Sequence, residues 1–112
     1  ASESRLKQYS YRKEEVKREI ETEVKNLIAS VNSNLKRLQV LEKNVLVAEK
    51  SFEITRKRFS DGDIDSQNLA LERNRLNNAY TSHLRAYINY QLSLADLGRK
   101  TFYDFRTNQE IQ

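Results

Sequence analysis

The 112-residue sequence has no proline and only two glycines, Gly62 and Gly98. Helix-breaking residues are therefore confined to two places. There is no cysteine, which excludes a disulfide framework and a thiolate metal site and fits either redox compartment. No apolar run approaches the roughly 20 residues that span a bilayer as a helix. The first residues carry no signal-peptide pattern and do not open on Met, as expected of a piece excised from a larger protein. His83 is the only histidine, so the usual nitrogen and sulfur ligand sets for zinc cannot be assembled.

What remains is strongly charged and modestly apolar. Charged residues make up 32% and hydrophobic residues 38%, a balance that suits a coiled coil better than a thick globular core. The chain is at most one domain. Two helices alone bury one stripe each, so a partner helix is expected. The formal charge of +4 raises nucleic acid as a partner, but 16 acidic residues are interleaved with 20 basic ones. A solvated mixed-charge surface accounts for that better, and no nucleic-acid partner is expected.

The spacing predicts a first helix over residues 2–60. Val24, Val31, Leu38, Val45, Phe52 and Phe59 recur every seven residues. Leu27, Asn34, Leu41, Ala48 and Thr55 follow three residues after the first five, as a and d positions of a heptad do. Asn34 reads as a polar residue that sets register. Ile20 and Val16 continue the pattern upstream in poorer register, and Ile28 and Leu35 widen it. At about 1.5 Å per residue this helix would be about 85 Å long. Val40, Val47 and Ile54 form a second stripe far round the helix, which a two-helix hairpin cannot cover.

A second helix is predicted over residues 66–98, followed by an extended aromatic tail over 99–112. Leu69, Leu76, His83, Tyr90 and Leu97 recur every seven residues, with Tyr80, Tyr87 and Leu94 as a neighbouring stripe. Ala79 and Ala86 offer close approach, while Leu84, Ile88, Leu92 and Ala95 lie off the seam. Gly98 suits a C′ position, with Arg99 and Lys100 at the negative end of the dipole. Folding back pairs Phe59 with Leu69, Phe52 with Leu76 and Val45 with Tyr80. Leu38 then meets Tyr87 and Tyr90, and Val31 meets Leu94 and Leu97. That leaves an overhang over residues 2–22, onto which Phe102, Tyr103 and Phe105 are expected to dock.

Between the helices lies Phe59-Ser60-Asp61-Gly62-Asp63-Ile64-Asp65-Ser66, the predicted tip, with its turn over residues 61–65. Gly62 can take positive φ without steric cost. Asp65 is a good N-cap, and Ile64 and Leu69 then stand at N′ and N4, the hydrophobic-staple pair. Asp61, Asp63 and Asp65, with Glu72 at the closing position, have the alternation of a calcium loop. The sharp-turn glycine is missing, because Ser66 holds its place and Gly62 comes too early. Capping and turn formation explain these aspartates better. No catalytic set emerges, so no enzyme, metal or cofactor is expected. His83 and the tyrosines at 80, 87 and 90 read as interface packing.

The ordered run Arg58-Phe59, Gly62, Asn68-Leu69, Asn78-Ala79, Tyr87, Tyr90 and Leu94 through Leu97-Gly98 resembles TolC-type outer-membrane efflux proteins. Thr101-Phe102-Tyr103-Asp104-Phe105 is similar to the segment after the last long helix in some members. Asn68 departs from the commoner acidic residue, and Asp61 and Asp63 flank the glycine. The resemblance covers roughly residues 30–105 and implies an all-α, antiparallel coiled-coil hairpin within a trimeric helical tunnel. That tunnel would cross the periplasm and join an outer-membrane β-barrel absent from this stretch. The tip would dock a periplasmic adaptor of a tripartite pump with an inner-membrane transporter, exporting small molecules or proteins. Two alternatives stay open: the coiled-coil hairpin of a membrane-fusion adaptor, and a generic coiled-coil scaffold. Adaptor tips resemble an arginine, leucine, serine pattern, whose leucine position is not clearly filled here.

Overall fold

A computed structural model describes residues 2–111, with side chains over residues 2–107. It contains two long helices, α1 (Ser2–Ser60) and α2 (Ser66–Ile111), joined through the tip. Two compact units divide the chain. One is Ser33–Leu92, which holds the tip, and the other combines Ala1–Asn32 with Ser93–Gln112.

In the tip unit, α1 turns Asn34, Leu38, Leu41, Val45, Ala48, Phe52 and Thr55 inward, alternately four and three residues apart. From α2, Leu69, Glu72, Leu76, Ala79, His83, Ala86 and Tyr90 face them in the mirrored alternation. This is the coiled-coil seam period. Cross-helix contacts fix the antiparallel sense. Ser51 Oγ donates to Glu72 Oε2 at 3.1 Å, Tyr80 Oη donates to Glu49 Oε1 at 3.0 Å, and the Arg73 guanidinium lies 5.8 Å from the Phe52 ring centroid.

The other unit continues the same period on different chemistry. Ile20, Val24, Leu27 and Val31 are half-buried on α1, and Ser93, Leu97, Lys100, Asp104 and Thr107 are covered on α2. Lys100 Nζ meets Glu23 Oε2 at 2.6 Å and Asp104 Oδ1 at 3.5 Å. Its pKa is raised, first by the hydrogen bond to Glu23. Asp104 Oδ2 is buried without a hydrogen-bond partner.

Several expectations about α2 are corrected. The helix does not end at Gly98 but runs to Ile111, so residues 99–111 are helical rather than an extended tail. A helical glycine costs only about 1 kcal/mol against alanine. No proline follows, and Lys100 and Asp104 carry the seam onward. Arg99 therefore pairs with Asp96 one turn back rather than serving the helix end. Phe102, Tyr103 and Phe105 do not dock; they are 65%, 62% and 61% exposed, because the helical phase turns Lys100, Asp104 and Thr107 inward instead. The companion stripe is likewise Ala79, Ala86 and Ser93, while Tyr80, Tyr87 and Leu94 stay exposed. Small residues there let the backbones approach. The larger side chains then stand on the flank, where Tyr80 reaches Glu49 rather than Val45.

Among the described residues only Ala86 and Ser93 are buried outright. A fully buried large aliphatic contributes about 1.5–3 kcal/mol, and half-buried seam residues contribute less. The uncovered apolar surface matters accordingly. Val40, Val47 and Ile54 are 58%, 68% and 55% exposed on α1, and Leu84, Ile88 and Leu92 are 58%, 47% and 56% exposed on α2.

Candidate functional site at the tip

The tip is built from two caps back to back. Gly62 has φ +81°, and among the described residues it alone has positive φ. Its N–H donates to the Phe59 carbonyl at 3.0 Å, and the Asp63 N–H donates to the Arg58 carbonyl at 2.9 Å. These are the two bonds of a Schellman C-cap, with Gly62 at C′. The Asp61 N–H completes the last helical turn onto the Lys57 carbonyl at 3.0 Å. Carbonyls that the end of α1 would leave without partners are thus satisfied.

Two residues later α2 is capped. Asp65 Oδ1 accepts from the Asn68 backbone N–H at 2.9 Å, the N-cap to N3 bond. The Asp65 carbonyl accepts from the Leu69 N–H at 3.3 Å. Ile64 and Leu69 are both half-buried, at the positions of a hydrophobic staple. The turn therefore needs one glycine, one aspartate and one aliphatic in fixed order.

The rest of the tip faces solvent. Phe59, Ser60, Asp61, Gly62, Asp63, Asp65 and Ser66 are exposed, and only Ile64 is half-covered. Phe59 is 40% exposed, so Ile64 rather than Phe59 closes the underside of the turn. A Cβ built on Gly62 would meet nothing within 4 Å; the requirement for glycine there comes from the backbone angle and not from crowding. Just below, Arg56 Nη2 pairs with Glu53 Oε2 at 3.1 Å, and that hydrogen bond raises the Arg56 pKa.

Other residues singled out in the sequence lie elsewhere. Glu72 is in the seam, bound to Ser51 and also to Arg75 Nη1 at 3.1 Å, away from the tip aspartates. His83 and Asn34 are half-buried seam residues. The parts that sequence reasoning missed are the carbonyls of Lys57 and Arg58 and the N–H of Asn68. Backbone groups leave no mark in a sequence beyond the glycine and aspartate that serve them.

No family model, curated protein or solved structure matches the chain.

Proposed function

We propose that this chain is a periplasmic tunnel hairpin of a TolC-like outer-membrane efflux channel in a Gram-negative bacterium. The observation that carries this is the regular apolar surface left open on both helices of the tip unit. Val40, Val47 and Ile54 on α1, and Leu84, Ile88 and Leu92 on α2, repeat at helical spacing outside the seam. A helix in the wall of a tunnel needs neighbours on more than one side, and such lines of aliphatics serve them. Other copies in a trimer and the remaining hairpins of the parent would cover these faces. The exposed polar groups of Ser60, Asp61, Asp63 and Ser66 would meet a periplasmic adaptor, and Gly62 would let its backbone come close. An inner-membrane transporter would complete the pump. The reading assigns no catalytic role and no cofactor.

The test is export in cells carrying the parent protein with Gly62→Val, measured beside its outer-membrane abundance. Lost export at normal abundance supports docking through the tip. Unchanged export from an abundant, trimeric protein removes the tip from the mechanism and favours a coiled-coil scaffold.

A further inference from the structure

We propose that the first turns of α1 form an interfacial helix that lies on an anionic lipid surface, whether or not the chain belongs to a channel. Every described side chain from Ser2 to Glu19 is exposed, so no described residue of the chain covers this stretch. Yet it is not uniformly polar. Leu6, Tyr9 and Val16 are 67%, 63% and 49% exposed. At about 100° per residue they share an arc of roughly 80° on the helix. Arg5 and Arg12 stand along one edge of that arc and Lys17 along the other, with Lys13 just inside it, while Glu19 and Glu3 lie about 60° beyond the two edges. Glu14 and Glu15 fall on the far side, and residues 4–13 contain four basic residues and no acidic one.

A narrow apolar stripe with cations at its edges and one lysine within it fits a plane, where a long stem can reach the headgroups, better than a groove. Arginine and lysine can lay their stems along apolar surface while their heads remain among charged groups. The Tyr9 ring can sit at headgroup depth with its hydroxyl in water. An amphipathic helix of this kind lies in the interface, held by buried apolar area and by attraction to anionic lipid. It would not cross the bilayer: among the described residues no helix is long and apolar enough to do so. Tyr11 gives the internal control. It is 68% exposed, as open as Tyr9, but stands about 160° round the helix from it.

The chain has no tryptophan, so Tyr9→Trp and Tyr11→Trp each place a single reporter in the full chain. Each is mixed with vesicles of phosphatidylcholine alone and of phosphatidylcholine with phosphatidylglycerol. With the anionic vesicles, the Tyr9→Trp emission should shift to the blue and become protected from an aqueous quencher. The Tyr11→Trp emission should stay that of a solvated indole. Adding Leu6→Asp should weaken binding roughly tenfold or more, through loss of one buried aliphatic and gain of a like charge to the lipid. Helix content, followed by circular dichroism, should not fall, since Leu6 is 67% exposed. No response to anionic vesicles, an equal response to both compositions, or equal shifts from the two reporters would overturn the proposal. So would a shift produced by polyglutamate and not by vesicles, which would assign the stretch to an acidic protein partner.

Discussion

The Asp63 N–H reaches back across Gly62 to the Arg58 carbonyl at 2.9 Å, and this bond exists because Gly62 holds φ at +81°. An L side chain in that region costs about 1–2 kcal/mol. Gly62→Ala should therefore lower stability by about that amount, and the β-branched Gly62→Val by more. Gly62→Asn should cost less than Gly62→Ala, because asparagine tolerates the left-handed region. Urea unfolding followed by circular dichroism checks the order. Equal stabilities for the three variants and the parent sequence would show that the chain turns some other way.

The other glycine predicts the opposite sign. Gly98 lies inside α2, and a Cβ added there meets nothing within 4 Å. Gly98→Ala should stabilise the helix by roughly 0.5–1 kcal/mol, from the lost backbone freedom of the unfolded chain. A destabilising result would show that α2 does not run through Gly98 as a regular helix.

The three tip aspartates should separate in the same assay. Asp65 caps α2 through its side chain, and Asp65→Ala should cost about 0.5–2 kcal/mol. Asp61 and Asp63 contribute backbone N–H groups to the cap, which alanine retains. Asp61→Ala and Asp63→Ala should stay within about 0.5 kcal/mol. If all three lose the same amount, the cause is tip charge and not capping.

The contrast between the glycines shows how far the fold is legible in the residues. At the tip, Gly62, Ile64, Asp65 and Leu69 agree on one geometry, and α1 ends and α2 begins where those signals place them. At Gly98 a stop signal stands alone, without a following proline or a break in the seam, and the helix passes through it. The seam of α1 is legible because large apolar residues from Val24 to Phe52 recur every seven residues at one of its positions, with Leu27 and Leu41 at the other. The second seam position of α2 is not, because alanine and serine occupy it while tyrosines one residue on imitate a stripe. Backbone separation decides between the two, and that is a tertiary quantity. The tip's geometry is therefore readable from the residues, whereas what docks there depends on a surface outside the chain.

Alkaline pH provides a test of the contact between Tyr80 and Glu49. The hydrogen bond to Glu49, then burial and the Glu49 charge, raises the Tyr80 pKa above its ordinary 10.0. Lys100 is raised above 10.5 in the same way by Glu23. A folded-state pKa above the unfolded one stabilises the fold at pH below the unfolded value. That stability is lost as pH rises through the folded value. The melting temperature should thus fall as pH climbs past 10, and fall less steeply in Tyr80→Phe. Tyrosine absorbance should show a late-titrating phenol in the parent sequence that Tyr80→Phe loses. The size of the effect is small, since Tyr80 is 45% exposed and the contact is screened by solvent.

Self-association should run through the open α1 stripe. Val47 is its central residue, with Val40 and Ile54 seven residues to either side, and it is the most exposed of the three at 68%. In the isolated chain Val47 packs against little, so Val47→Lys should barely change helix content at low concentration. Lysine is also a good helix former, which removes propensity as a cause. Between chains the same change would set a charge inside an apolar contact, a cost of several kcal/mol unless it is paired. Sedimentation should therefore show the parent sequence assembling at high concentration and Val47→Lys remaining smaller. Gln39→Lys, at an exposed position outside the stripe and the seam, controls for added charge alone. A stable monomer of the parent sequence at high concentration would leave these faces to other helices of a larger protein. Equal assembly by Val47→Lys would move the contact to the Leu84, Ile88 and Leu92 face of α2, where Ile88→Lys repeats the test.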